Sequence, residues 1–215
     1  MEDKHTVMLV DDHPLLLKGL KQLIEFEDDI EVIGEANNGA DAVTLAEELD
    51  PDLIVLDLNM QGMDGIQTLR SMRKEGVTSR IVMLTVSDAD EDVVEAISAG
   101  ADGYLLKDMD PDDLLTQLRR ALEGKMALNE ELTHILASAI RKPKSRQQAD
   151  INNLTNREYE ILTLIAKGMS NKVIARELDI SDGTVKVHVK HLLKKLGLRS
   201  RVEAAVWIVN QQGVK

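Results

Sequence analysis

Three carboxylates, a hydroxyl and an ammonium group follow short apolar runs in this chain. Val7-Met8-Leu9-Val10 leads into Asp11 and Asp12, and Leu53-Ile54-Val55-Leu56 leads into Asp57. Two later apolar runs end near Thr85 and Lys107. If these runs are parallel strands of one sheet, the groups converge on one edge, where open α/β sheets bind ligands. Three close carboxylates repel, so one is protonated or a cation sits among them. An all-oxygen set suits Mg²⁺, which keeps several waters and takes one or two carboxylates plus phosphate oxygens. Asp11, Asp12, Asp57 and the backbone carbonyl of Asn59 offer such ligands. The ion would orient a phosphodonor and neutralise charge as Asp57 attacks in line. Lys107 is a point charge suited to a phosphoryl oxygen, and Thr85 can donate a hydrogen bond to another. The expected chemistry is phosphorylation of Asp57, sensed by Thr85 and Lys107.

The elements that must position these groups are legible over the first ~125 residues. Expected strands are Thr6–Val10, Glu31–Glu35, Asp52–Leu56, Arg80–Leu84 and Gly103–Leu106. Helical patterns lie between them at Pro14–Glu25, Gly39–Leu49, Gly65–Glu75 and Glu91–Ala99, with a fifth at Pro111–Glu123. The apolar runs are continuous rather than alternating, as in strands covered on both faces. The alternation predicts a (βα)5 doubly wound parallel sheet. Pro14 and Pro111 each suit a first helical turn.

Charge divides the chain in two. Residues 1–140 carry 11 Lys+Arg against 31 Asp+Glu, a net of −20, while residues 141–215 carry 15 against 7, a net of +8. A basic tail on an acidic body points to a polyanionic partner, and the acidic half can also attract the basic one. The absence of cysteine excludes disulfides, thiolate metal sites and cysteine nucleophiles. The acidic start Met1-Glu2-Asp3-Lys4-His5 lacks the apolar core of a signal peptide. No apolar run approaches the ~18 residues of a membrane span. A soluble cytoplasmic protein is expected.

Residues 126–150 read as a connector: a helix at Asn129–Ile140, then a polar, basic, proline-broken tether at 141–148. Residues 151–215 read as a smaller all-α domain of four helices. Thr155 and Glu158 have capping-box spacing, as do Ser200 and Glu203. Ser170 and Ser181 are N-caps of Asn171–Leu178 and Asp182–Leu196, and Gly168 and Gly197 end helices. The second and third of these helices have helix-turn-helix proportions. At about 100° per residue, Lys186, Val187, Lys190 and Lys194 share an arc of about 100°, while Val185, Val189, Leu192, Leu193 and Leu196 fall opposite. One face packs and the other can lie in a major groove. Lys186, Val187 and Lys190 are candidates for base edges; Lys172, Arg176, Thr184 and Lys194 are candidates for phosphates. His188 and His191 have no evident further metal ligand.

The segments Val10-Asp11-Asp12-His13-Pro14, Leu56-Asp57-Leu58-Asn59-Met60, Thr85 and Gly103-Tyr104-Leu105-Leu106-Lys107 resemble the receiver domain of two-component response regulators over residues 5–124. Leu154-Thr155-Asn156-Arg157-Glu158, Gly168-Met169-Ser170-Asn171-Lys172 and Thr184-Val185-Lys186-Val187-His188 resemble the LuxR-type helix-turn-helix domain. Together they identify a NarL/FixJ-type response regulator, similar to the nitrate/nitrite regulators of that group. The resemblance implies Asp57 as acceptor from a sensor histidine kinase, Mg²⁺ held with Asp11 and Asp12, and Thr85 and Lys107 on the phosphoryl group. It further implies Tyr104 as an aromatic switch, homodimers on paired half-sites of double-stranded DNA, and a dimer contact through Val202–Val209. It extends to nitrate-responsive control of anaerobic respiration genes. Gln61 stands where many receivers have proline. A rival expectation is a Mg-dependent aspartyl-phosphate hydrolase. Those enzymes usually carry a second aspartate two residues after the nucleophile, where this chain has Asn59. A DNA-free phospho-switched adaptor is the other. The expected switch is a receiver that covers Lys186–Lys190 until phosphate draws Thr85 inward and lets Tyr104 repack.

Overall fold

The computed structural model describes residues 4–125, 127–128 and 151–212. The expected helix at Asn129–Ile140 and the tether at 141–148 lie outside the described residues. The strands are β1 (His5–Val10), β2 (Ile30–Ala36), β3 (Leu53–Leu56), β4 (Arg80–Thr85), β5 (Gly103–Leu106) and β6 (Ala127–Leu128). They form one sheet in the order β2-β1-β3-β4-β5-β6, with every pair parallel. The two-residue β6 was not expected from sequence. It pairs Ala127 with Gly103, whose missing side chain makes room for the Ala127 backbone.

Five helices flank the sheet: α1 (Pro14–Glu25), α2 (Gly39–Leu49), α3 (Gly65–Glu75), α4 (Asp90–Ala99) and α5 (Pro111–Leu122). Their limits follow local chemistry. Asn38, Asp64 and Asp110 each accept a backbone N–H in the first turn, and Gly76 and Gly100 close α3 and α4 in the left-handed conformation. The core has two layers. Met8, Ile54, Leu56, Ile81 and Met83 pack against α2, α3 and α4; Val7, Leu9, Val55, Val82 and Leu105 pack against α1 and α5. Strand residues alternate between the layers, so both sheet faces are dry and the runs read as continuously apolar.

The C-terminal part contains a 3₁₀ turn at Ile151–Asn153 and helices α6 (Asn156–Ala166), α7 (Asn171–Leu178), α8 (Asp182–Leu196) and α9 (Arg201–Gln212). The Thr155–Glu158 capping box is complete. At the second expected box both residues are engaged. Ser200 Oγ accepts from the Glu203 N–H at 3.2 Å, but the Glu203 carboxylate takes the N–H of Arg199 at 2.7 Å. Ile161, Leu162, Val185, Val189, Leu192 and Ile208 form a separate core.

Beneath the sheet, at the end away from Asp57, Arg73 forms a buried clamp. Its guanidinium donates to Asp102 Oδ2 at 2.8 Å and to the carbonyls of Val77, Ser79 and Gly100. Sequence reading missed this clamp.

Candidate functional site: a phosphoacceptor edge and a covered helix

β1 and β3 lie side by side at the point where the strand order reverses, so Asp11 and Asp57 leave the sheet as neighbours. Both are 2% exposed. Lys107, from the end of β5, places Nζ 2.6 Å from Asp11 Oδ2 and 2.9 Å from Asp57 Oδ1. Asp57 Oδ2 has no hydrogen-bond donor. Burial raises the Asp57 carboxyl above its ordinary value, and the neighbouring Asp11 charge adds to this; Lys107 opposes both. The result is a buried carboxylate that meets one lysine through Oδ1, with the Asn59 backbone also favouring its charged form.

Asp12 is more exposed. Its Oδ2 accepts the backbone N–H of Gln61 at 3.0 Å, and its Oδ1 lies 2.9 Å from His13 Nδ1. A proline at position 61 would lack that donor, so the departure noted in the sequence ties the loop to Asp12. Ligand atoms of Asp11, Asp12, His13 and Asp57 lie within 4.8 Å of one another. The oxygen-rich donors and the orphaned Asp57 oxygen suit a divalent cation. His13 is a neighbour of this cluster that sequence reading did not single out.

Thr85 is fully buried at the end of β4, and its hydroxyl accepts from the side chain of Asn59 at 3.3 Å and from the Ser87 N–H at 3.2 Å. Tyr104 is also fully buried; its hydroxyl donates to the Ser87 carbonyl at 3.0 Å, and burial pushes its pKa up to about 12. Phosphate is expected to draw Thr85 inward and let Tyr104 repack. In this structure both side chains are buried, and Ser87 supplies a partner to each.

The helix-turn-helix cations meet the opposite end of the α/β layer. Lys186 Nζ donates to the Asp50 carbonyl at 2.7 Å and lies 2.9 Å from its carboxylate. Lys190 Nζ donates to the Glu75 carbonyl at 3.0 Å, and Lys172 lies 3.0 Å from Asp52 Oδ2. Arg199 donates to the Ser98 carbonyl. Asp50 caps α2, and Glu75 and Ser98 stand in the last turns of α3 and α4. The basic side chains therefore cap the C-terminal ends of helices, where orphan carbonyls carry partial negative charge. Gly124 lies against the second domain: a Cβ built on it would collide with the Gly168 carbonyl.

Burial alone would lower the Lys186 pKa, but Asp50 and Asp182 outweigh it and the net shift is upward. Burial alone would raise Asp52, but His5, the Thr6 N–H and Lys172 hold it well below the usual carboxylate range. Of the other DNA candidates, Val187 is 54% exposed, Thr184 Oγ1 is bonded to Ser181 Oγ at 2.8 Å, and Arg176 and Lys194 are exposed.

The profile described as "Response regulator receiver domain" matches residues 7–119, and "Bacterial regulatory proteins, luxR family" matches residues 152–208. The chain is a two-component response regulator with a LuxR-type DNA-binding domain. It is 56% identical over 207 residues to the nitrate/nitrite response regulator protein NarL of Escherichia coli K12, covering 96% of each chain. It is 47% identical over 209 residues to NarP of the same organism, covering 97% of this chain and 96% of that one. A structure of two RcsB dimers bound to two parallel DNAs aligns at TM-score 0.57 and 25% identity, covering 96% of this response regulator and 98% of RcsB. Among the described residues, no helix is long and apolar enough to cross a membrane.

Proposed function

We propose that this response regulator is a nitrate/nitrite-responsive, cytoplasmic transcription factor that a sensor histidine kinase switches by phosphorylating Asp57. The free Asp57 Oδ2 attacks the phosphorus of a phosphohistidine. The bond from phosphorus to the kinase imidazole breaks as the new one forms. Lys107 turns from Asp11 and Asp57 to an oxygen of the transferred group, and the Thr85 hydroxyl leaves Asn59 to donate to another. Asp11, Asp12, Asp57 and the Asn59 carbonyl would hold Mg²⁺, which supplies charge neutralisation at the phosphoryl oxygens. The chain turns over no outside substrate, since Asn59 cannot act as acid or base.

The observation that carries the switch is that Lys172, Lys186 and Lys190 are bonded to the receiver. Lys172 and Lys186 are largely covered in this arrangement, and Lys190 is committed to the receiver. The exposed Lys190 contact stabilises docking by about 1 kcal/mol or less, and with the more covered Lys172 and Lys186 contacts the domains are held by a few kcal/mol. A phosphoryl group that creates one to three charge-assisted hydrogen bonds can offset that amount. Released, α8 reads a major groove with Lys186, Val187 and Lys190, while Lys172, Arg176, Thr184 and Lys194 hold phosphates. Two copies bind paired half-sites with α9 at their contact, as the exposure of Val206 and Val209 supports. DNA titration with and without acetyl phosphate tests the reading. Phosphorylation tightens binding at least about tenfold, and Asp57→Asn loses both the acid-labile phosphate and the response. Equal affinity in both states would reject it.

A further inference from the structure

The boundary between the domains is electrostatically uneven. On one side Lys172 and Lys186 meet Asp52 and Asp50. On the other, a cleft of about 750 Å³ opens between the ends of α3 and α4 and helix α8. Arg70, Arg73, Lys74, Lys190, Lys194 and Arg199 line it, with no carboxylate among the lining residues. Arg70 is paired with Glu95 and Arg73 with Asp102. Lys190 and Arg199 donate to backbone carbonyls of Glu75 and Ser98, which bear no full charge. Lys74 and Lys194 make no ion pair among the described residues. After the two paired arginines, about half a charge at each of two helix C-termini, and the Glu203 carboxylate held at the Arg199 backbone, roughly two positive charges remain.

Like charges that line one cleft without carboxylates among them repel one another. An anion that enters this cleft removes that repulsion. The volume falls within the range of about 300–1,000 Å³ typical of ligand pockets. Leu193 and Leu198 add an apolar patch to the lining.

We propose that this cleft binds an oligophosphate, free or carried on a nucleoside, which bridges α3 of the receiver to α8. The inference rests on the covered-helix reading above. Lys190 and Lys194 are shared with DNA, so the ligand holds the closed arrangement and opposes DNA binding.

Titration calorimetry of the full chain with inorganic triphosphate and with ATP, at ~0.15 M salt where weak surface attraction is screened, tests the site. Binding with Kd of ~1 mM or tighter is expected for at least one probe. Equal affinities assign the free anion, and tighter ATP binding assigns the nucleoside-borne form. Lys74→Glu changes an exposed receiver residue outside both the phosphoacceptor edge and the DNA face. It should weaken binding about tenfold and relieve the inhibition of DNA binding by the same probe. No binding of either probe, or unchanged binding to Lys74→Glu, would overturn the proposal. Should phosphorylation leave DNA affinity unchanged, the covered-helix reading falls, while the Lys74→Glu calorimetry still decides the cleft.

Discussion

The two ends of the parallel sheet present opposite kinds of electrostatics. At the end bearing Asp57, full side-chain charges are crowded, with Asp11, Asp57 and Lys107 almost dry. At the other end, Lys186 and Lys190 donate to backbone carbonyls at the ends of α2 and α3, and the carboxylates of Asp50 and Asp52 pair with Lys186 and Lys172. The first end is specified by residue identity alone. The second is specified by residue identity and by backbone geometry together. Side-chain charges in low dielectric interact strongly, whereas half-exposed contacts to helix ends are weak enough to exchange.

The largest expected effect tests whether the weak end has a rigid base. Arg73→Ala leaves Asp102 buried without its partner and should cost about 3–5 kcal/mol of stability. A loss under ~1 kcal/mol in urea unfolding would show that the clamp is dispensable. Next in size, Asp50→Arg sets a cation against Lys186 without touching the phosphoacceptor end. DNA affinity of the unphosphorylated chain should rise about tenfold, with little change once phosphorylated. An equal rise in both states would mean that position 50 acts by general charge rather than by holding α8.

Asp57→Asn tests strain at the other end. The folded Asp57 pKa is raised by burial, so the folded state binds its proton more tightly than the unfolded chain. Stability from this group falls as pH rises from the ordinary carboxylate value through the raised one. The asparagine variant should be more stable by about 1 kcal/mol at pH 7. That gain should disappear in acid, where Asp57 is already neutral; a persistent gain would assign it to packing. The smallest effect belongs to Gln61→Pro. Removing the N–H that holds Asp12 should tighten Mg²⁺ binding about two- to fivefold in calorimetry, and weaker binding would show that Gln61 positions Asp12 for the ion.

Much of the architecture was legible because its signals are local. Pro14, Ser170 and Ser181 mark helix starts that the structure keeps. The meeting of Asp11, Asp57 and Lys107 was legible because parallel strands deliver their next residues to one edge. The docking partners of Lys186 and Lys190 were not. Carbonyls occur at every residue, and no residue type announces which will be left orphaned at a helix end. The Arg73 clamp was hidden for the same reason, since three of its acceptors are backbone. Tyr104 shows another limit. Its place in β5 was readable, but whether its ring lay in or out depended on Ser87, which offers its carbonyl across the sheet edge.

The Gly124–Gly168 contact has an evolutionary implication. The two domains can close at Gly124 because it has no side chain: a Cβ there would collide with the Gly168 carbonyl, whereas one on Gly168 would make only ordinary contact. Any mutation that restores carbon at position 124 wedges the halves apart and strains a left-handed residue at φ 95°. Obedience to a signal would then be lost in a single codon change, leaving the DNA-reading surface permanently on duty.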